Sequence, residues 1–581
     1  MEIAVDNEIP TYSGGLGVLA GDGAFSFADL GMPAVYVTLL FKMGYTSQTL
    51  DRAAGQLDSD CIWDYRRLLT PVGTFVDVEL AGKLQKVGAW QFVIRGKQDV
   101  VVLFLDTDVE GNDPSTRKIS DRLYGGDSWH RLMQEMVLGI GGYRMLQALH
   151  RGIEIYHLNE SHAGLLVVEL MREYRDTAEI RKRCVFTSHT PVPAGHDSFP
   201  LTMVKDALAH YDWVDWDAEA GPEGRIDLAR FAVKYSSVTN AVSLKHSHVS
   251  ERVLNLAHVE YVTNGVYHKR WIHDELKNLY DRHIPGWQEV PSLLSRAMEL
   301  PTDALESAHL LAKSEMTEML YASTGKKLSK EHFTVGLAKR VTGYKRNDLI
   351  LTDLDKLVAI AEKRGIIQVI LAGKAHPRDD VGKAMLRDIL GKMERLERNT
   401  DQVRVAFLEN YDLSTAKSLV AGCDAWLNSA TRPLEACGTS GMKAAMNAVL
   451  NFSVYDGWWL EGGVEGVNGW GIGTRANWTD LSQAGQSDAE DMYQKLSESI
   501  LPIYYNDRDK WWTMGKSSVA TVGPLFNSYR MLNDYQARVY SRARAESAED
   551  RILLDLLKVR KASNDIASPP PTPLAFNRAN S

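Results

Sequence analysis

The segment Ala430–Asn447, ATRPLEACGTSGMKAAMN, sets one carboxylate (Glu435), a Gly-Thr-Ser-Gly turn and a single lysine (Lys443) close together in the chain. Thr439 and Ser440 precede a helical pattern, so their N–H groups stand at a helix N-terminus, a ready place for an anion. A lysine in an Ala/Met-rich helix is ordinarily a surface residue that keeps its ammonium in water. Burial instead lowers the pKa of an amine and leaves the neutral form that condenses with an aldehyde. A phosphorylated aldehyde would use both features, the turn for its phosphate and Lys443 for its carbonyl carbon.

Other clusters carry chemistry of their own. YSGGLGVLAGDGAFSFADLG has glycines at positions 14, 15, 17, 21 and 23, which let backbone N–H groups approach an anion ahead of a helix; tight packing is the equal alternative. Asp29 is too close and too helical to be the ribose-binding acid of a dinucleotide fold, so a nicotinamide site is the weaker reading. In FTVGLAKRVTGYKR an apolar strand runs into Lys339, Arg340, Lys345 and Arg346. A solvated basic face is the usual fate of such a run. Its concentration at a strand's carboxyl end in an acidic protein favours an oxyanion site, with arginine's forked donors beside lysine's point charge. HLNESHAG holds Asn159, Glu160 and His162, and FTSHTPVPAGHD holds His189 and His196. Each histidine alone is more often structural, and no pair at i, i+4 with a third ligand suggests a metal. DGWWLEG and NGWGIG suit stacking on sugar rings, with core packing as the default for aromatics.

These residues need a scaffold. The chain has 581 residues, 44% hydrophobic and 24% charged, with a net charge of -9, so two large domains are expected and a nucleic-acid or anionic-membrane partner is not. Four scattered cysteines, no secretory signal and no apolar run long enough to span a bilayer fit a cytoplasmic protein. Apolar runs AVYVTLLF, VVVLFLDT, IEIYHLN, RCVFTSH, FTVGLAKR, IIQVILAGK, VRVAFLEN, AWLNS and LNFSVYDG read as strands, several with helical segments between them. That alternation predicts an α/β fold with parallel sheets and ligands at the strands' carboxyl ends. MEIAV reads as a strand already under way at Met1, so either a preceding element is absent or the true start lies upstream. Prolines 285, 291 and 301 and a weak core signal predict a hinge near 285–325. YQARVYSRARAESAEDRILLDLLKVRKA predicts a long helix and SPPPTP a loose tail.

Together the motifs resemble the α-glucan (glycogen/maltodextrin) phosphorylase family, in its compact prokaryotic branch. The resemblance runs from MEIAVDNEIPTYSGGLGVLAGD through LYGGD, HLNESHAGLL, FTSHTPVPAGHDSF, TNGVYHKRW, KRVTGYKR, AGKAHPRDD and FLENYDLSTA to the Lys443 motif, DGWW and NGWGIG. It implies two Rossmann-like domains facing a central cleft, over 1–300 and 301–525, with a helix and tail over 526–581. It implies pyridoxal 5'-phosphate on Lys443, with Lys339, Thr439, Ser440, Tyr411 and Gly15 around it. Arg340, Lys345 and the turn Gly14-Gly15 match the site of inorganic phosphate or of the phosphate of glucose 1-phosphate. His189, Asn240, Tyr344, Glu435 and Gly438 match residues that grip the transferred glucose, and Lys443, Arg340, Lys345 and His189 form the catalytic set.

The implied reaction is reversible phosphorolysis of α-1,4-glucans to α-D-glucose 1-phosphate, with the cofactor phosphate shuttling a proton. No metal is implied, a homodimer is allowed, and allosteric control is not expected. Ala241 and Cys437 depart from the family pattern, standing where glycine and serine are usual. The rival readings are a nucleotide-sugar glucosyltransferase resembling glycogen synthase and a non-catalytic glucan-binding relative.

Overall fold

The protein is described here from a computed structural model, which defines residues 1–191, 195–475 and 484–544. In the N-terminal half, α1 (Gly15–Leu30) leads into β1 (Val35–Leu39), and a hairpin β2 (Ser47–Asp51) and β3 (Gly55–Ser59) follows. Strands β4 (Val76–Leu80), β5 (Lys83–Ile94) and β6 (Val100–Asp106) complete a mixed sheet in which β6 lies between β1 and β5. A second, all-parallel sheet has the order β10-β9-β8-β7, from β7 (Tyr156–Asn159), β8 (Cys184–Thr187), β9 (Val238–Ala241) and β10 (Glu260–Tyr261).

The C-terminal half is one six-stranded parallel sheet. Its strands are β11 (Phe333–Ala338), β12 (Ile367–Ala372), β13 (Val403–Leu408), β14 (Ala425–Asn428), β15 (Leu450–Val454) and β16 (Gly469–Ile472). The spatial order β13-β12-β11-β14-β15-β16 reverses direction between β11 and β14. A doubly wound sheet opens a crevice at such a reversal, beyond the carboxyl ends of the two strands. Every residue of β11 and of β14 is buried, as strands covered on both faces must be. Helices α2 (Thr302–Thr324), α3 (Asp380–Asn399), α4 (Leu413–Gly422), α5 (Ser440–Ala445) and α6 (Ala484–Lys495) belong to this half.

The two halves are pinned by the β2–β3 hairpin. Gln48 Nε2 donates to the Gly373 carbonyl at 3.0 Å, and Gln56 exchanges bonds of 2.9 Å with both the N–H and the carbonyl of Ala375. Each glutamine amide thus satisfies backbone groups that the end of β12 leaves unpaired.

Three expectations are corrected. Met1–Val5 is not a strand: its backbone is satisfied by tertiary partners instead of a ladder. Ile3 N–H donates to Thr11, Ala4 N–H donates to Gly17, and the Ala4 and Val5 carbonyls accept from Arg270. The segment 285–325 is not short of core either. It contains a 3-10 helix, Pro291–Glu299, and then α2, and it buries Trp287, Leu294, Leu305, Met316 and Leu320. Pro291 stands in the first turn of its helix and Pro301 caps α2, positions where a missing N–H breaks nothing. Trp458, Trp459 and Trp470, candidates for sugar stacking, are buried in the C-terminal core. The expected C-terminal helix is described as far as Arg544; its remainder, and the tail, lie outside the described residues.

Candidate active site

At the reversal between β11 and β14 the chain places Lys339, one residue past β11. Its ammonium donates to Asn428 Oδ1 at 3.0 Å and to Ser429 Oγ at 3.2 Å, both at the end of β14. Burial pulls this amine down to about 7 from the usual lysine value. Gly373, at the end of β12, leaves room for the lysine's own backbone: a Cβ there would stand 1.9 Å from the Lys339 carbonyl oxygen.

The neighbouring cations are handled differently. Lys345 forms an ion pair with Glu435, and its ammonium lies 5.0 Å from the centre of the Tyr344 ring. Burial favours the neutral acid at Glu435, and Lys345 overrides it, holding the carboxyl below its ordinary value. Arg346 is structural. It donates to the carbonyls of Ser429 and Ala430 and to buried Asp488 at 2.8 Å, which sews the β11 loop to the β14 loop. Arg340, flanked by Tyr344, Tyr45 and Glu2, is solvent-exposed and has no ion pair among the described residues. A guanidinium that meets Tyr344 but pairs with no carboxylate among the described residues keeps donors available to an anion.

The opening segment now has a geometry. Gly438 has φ 63, in the left-handed region that favours glycine, and its carbonyl accepts from Trp458 Nε1 at 3.1 Å. Asn428 closes on this turn: its Nδ2 stands 3.3 Å from where a Cβ of Gly438 would be. Ser440 Oγ accepts from Trp426 Nε1 at 3.0 Å. Thr439 caps α5, and one turn on, Lys443 is buried, its amine 3.8 Å from the centre of the Trp271 ring. Trp271 in turn donates its indole N–H to buried Asp22 at 2.7 Å. Lys443 has no ion pair among the described residues, and burial, opposed by Asp22, lowers it to about 8. Trp271 and Asp22 are partners that sequence reasoning missed. TNGVYHKRW stands out as a motif, yet nothing in it says that its tryptophan underlies a lysine so far along the chain.

The five glycines of the α1 turn divide by role. A Cβ on Gly14 or Gly15 would meet nothing within 4 Å, whereas one on Gly17 would meet Tyr12 and Glu2, and one on Gly21 would stand 2.0 Å from the Ala4 carbonyl oxygen. The first pair face open space; the others are packing glycines. Tyr411 follows β13 with its phenol raised by burial and by neighbouring Tyr12.

His189 follows β8. Its N–H donates to Glu160 at 2.7 Å, its Nε2 has no partner among the described residues, and burial beside His246 keeps the ring neutral. Glu160 is raised by burial to about 7. Asn240 lies beside His189, its carbonyl accepting from the Ser188 N–H at 2.9 Å, and its amide is engaged in the core, accepting from Thr187 at 2.7 Å and donating to Ala241 and Tyr535. Among the described residues one set, Glu135, His162 and Asp197, could gather round a cation. Arg131 already supplies it, 3.2 Å from Glu135 and 2.8 Å from Asp197.

The residues fit a phosphorylated aldehyde. A buried, partly neutral amine with no ion pair among the described residues waits at Lys443, and Lys339, beside Asn428 next to the Gly438–Ser440 turn, feels Glu435 but forms no ion pair among the described residues.

Comparison with known proteins agrees with this geometry. The profile described as carbohydrate phosphorylase matches residues 218–468. The chain is 36% identical to the maltodextrin phosphorylase of Thermococcus litoralis, over 98% of this chain and 72% of that protein. It is 35% identical to the glycogen phosphorylase of Mycobacterium tuberculosis, over 94% of this chain and 70% of that protein. It is 33% identical to the glycogen phosphorylase of Aquifex aeolicus, over 93% and 85%. Matches of this extent, across both the β11–β14 reversal and the Lys443 segment, establish that the chain belongs to the carbohydrate phosphorylase family.

Proposed function

We propose that this protein is an α-glucan phosphorylase: it cleaves α-1,4-glucan with inorganic phosphate, reversibly and with retention of configuration, to give α-D-glucose 1-phosphate. One observation carries the reading. Of the four cations Lys339, Arg340, Lys345 and Lys443, only Lys345 has a carboxylate partner among the described residues. Lys443 is buried and Lys339 half-buried, with exposed Arg340 beside them, and positive charge without a carboxylate to match it at such a place calls for bound anions. Two phosphates brought together would repel, and this set of cations opposes that repulsion.

Pyridoxal 5'-phosphate would be held by Lys443, with Lys339 and the backbone at Thr439 and Ser440 around its phosphate and Tyr411 and Gly15 nearby. When bound it supplies a phosphate monoester whose second pKa is about 6, near neutral working pH. Arg340 and the turn at Gly14-Gly15 would hold the substrate phosphate and neutralise it as the glycosidic bond breaks. Lys345, fixed by Glu435, adds charge from the same loop. His189, neutral and with Nε2 unpartnered among the described residues, can donate to or accept from a sugar hydroxyl without adding charge. Tyr344, Glu435, Gly438 and Asn240 line the position of the glucose in this reading, Asn240 with one Oδ1 lone pair beyond the bond from Thr187.

The division into 1–300, 301–525 and 526–581, with substrate between the first two, belongs to the same reading, as does a cytoplasmic location; no described helix is long and apolar enough to cross a membrane. The test is direct. The protein incubated with maltodextrin and phosphate should release glucose 1-phosphate, and Lys443→Ala should abolish that release. Glucosyl transfer that requires a nucleotide sugar and ignores phosphate would decide for the synthase-like rival.

A further inference from the structure

Gly14 and Gly15 impose no conformation of their own, so an anion site built on them needs something else to set the turn. That something is Glu2. Its Oε2 accepts from the N–H groups of Ser13 at 2.6 Å and Gly14 at 3.1 Å; its Oε1 accepts from Ser13 Oγ at 3.1 Å and from the Tyr124 hydroxyl at 2.9 Å. Glu2 is 6% exposed. Gly17 is part of the same fitting, because a Cβ there would stand 2.8 Å from Glu2 Oε2.

Tyr124 is itself placed under constraint. It has φ 58, uncommon for a residue with a side chain. Its ring packs edge-on to Tyr45 at 6.4 Å and under the Arg131 guanidinium at 5.1 Å. A backbone conformation that costs energy persists only where its surroundings over-determine it, and the bond to Glu2 is one product of that arrangement.

With the Ser13 and Gly14 amides taken, the next donors are Gly15 and Leu16, which have no acceptor among the described residues. They open a helix of 16 residues, above the space that Gly15 leaves free. Arg340 lies within electrostatic reach of both Glu2 and Tyr124. The geometry points to Glu2, held by Tyr124, as the positioning residue for substrate phosphate: it fixes the glycine turn so that the Gly15 and Leu16 amides meet the anion that Arg340 neutralises. This rests on the phosphorylase reading above. Left bare, the carboxylate would repel a second anion, but four hydrogen bonds absorb its charge.

The experiment uses the full chain loaded with cofactor and measures initial rates of glucose 1-phosphate release, varying phosphate and maltodextrin separately. Glu2→Ala should raise KM for phosphate about tenfold or more, and Tyr124→Phe about threefold to tenfold, from the loss of charge-assisted hydrogen bonds. KM for maltodextrin should stay within about twofold, because these bonds act on the phosphate alone. Glu2→Gln should fall between Tyr124→Phe and Glu2→Ala. Should Glu2→Ala not fold, Tyr124→Phe, which loses one hydroxyl, decides the matter. Unchanged phosphate KM in Tyr124→Phe, equal increases for both substrates, or tighter phosphate binding in Glu2→Gln than in the unaltered chain would each overturn the assignment. If the unaltered chain releases no glucose 1-phosphate, the phosphorylase reading falls and this inference with it.

Discussion

The amine of Lys443 lies 3.8 Å from the centre of the Trp271 ring. A cation over an aromatic face is attracted by the ring's quadrupole without a formal counter-charge, so the lysine is held in place and still free to react. Asp22, bonded to the indole N–H at 2.7 Å, fixes the ring.

That arrangement sets a pH dependence. Burial lowers Lys443 to about 8 from the ordinary lysine value of 10.5. Between those values the folded protein binds fewer protons than the unfolded chain, so stability rises with pH across the window; below about 8 the cost of burying the charged amine is present in full. The same shift governs reactivity. Protein stripped of cofactor should take up pyridoxal phosphate at a rate that climbs about tenfold per pH unit and levels off near 8, because only the neutral amine attacks. Borohydride reduction followed by peptide mapping should then find the pyridoxyl group on Lys443. A rate still climbing beyond pH 9 would mean an amine with an ordinary pKa.

Arg340 should behave differently from Lys443. Among the described residues it has no ion pair to lose and takes no part in the hydrogen bonds of Lys339 or in the Trp271 contact of Lys443. Arg340→Ala is therefore expected to retain cofactor at the level of the unaltered protein. Its phosphate-dependent turnover should fall about 10²- to 10³-fold, the usual cost of removing one donor to developing charge. Cofactor absorbance and glucose 1-phosphate release measured on one preparation separate the two effects. Loss of cofactor without a kinetic defect specific to phosphate would contradict the role given to Arg340.

The parts of this molecule legible in the sequence are those set by short-range pattern. The strand Phe333–Ala338 is a continuous apolar run of the kind that parallel sheets bury, and the cations that follow it had to emerge at a carboxyl end. Contacts between distant segments were not legible. Met1–Val5 resembles a strand because extended apolar backbone looks the same whether a neighbouring strand or Arg270 donates to its carbonyls. Pro291 and Pro301 resembled a hinge because proline starts a helix as readily as it breaks one. Asn240 stands in the expected motif, but the direction of its amide is settled by Tyr535 from another part of the chain.

The glycine turn gives a paired prediction. Gly21→Ala would drive a methyl to 2.0 Å from a backbone oxygen of Ala4, so the segment Met1–Val5 must move. The expected loss is about 3 kcal/mol or more, from overpacking and a strained Ala4–Gly17 hydrogen bond. Gly15→Ala meets nothing within 4 Å, and Gly15 is not in the left-handed region. It should fold with unchanged or slightly raised stability, by about 0.4–1 kcal/mol. Its methyl enters the space assigned to phosphate, however, so phosphate KM should rise about tenfold. Thermal unfolding and steady-state kinetics of the two variants should show opposite patterns.

The far end of the same sheet should show stability without chemistry. Asp424 immediately precedes β14 and is 2% exposed; Lys313 on α2 is fully buried against it at 2.5 Å. Lys313 also donates to the His332 carbonyl at 2.6 Å, while Asp424 accepts the Thr334 N–H at 2.7 Å and bonds His309 at 3.2 Å. These contacts lie at the amino ends of β11 and β14, opposite the crevice. Lys313→Met strands a buried carboxylate and should cost about 3–5 kcal/mol, whereas Lys313→Met with Asp424→Asn removes both charges and should recover part of that loss. Urea unfolding followed by tryptophan fluorescence measures both. At temperatures where the variants remain folded, phosphate and maltodextrin KM should match the unaltered protein, since no contact of this network touches Lys339, Arg340 or Lys443. A changed phosphate KM in the stable double variant would show that the two ends of the sheet are coupled.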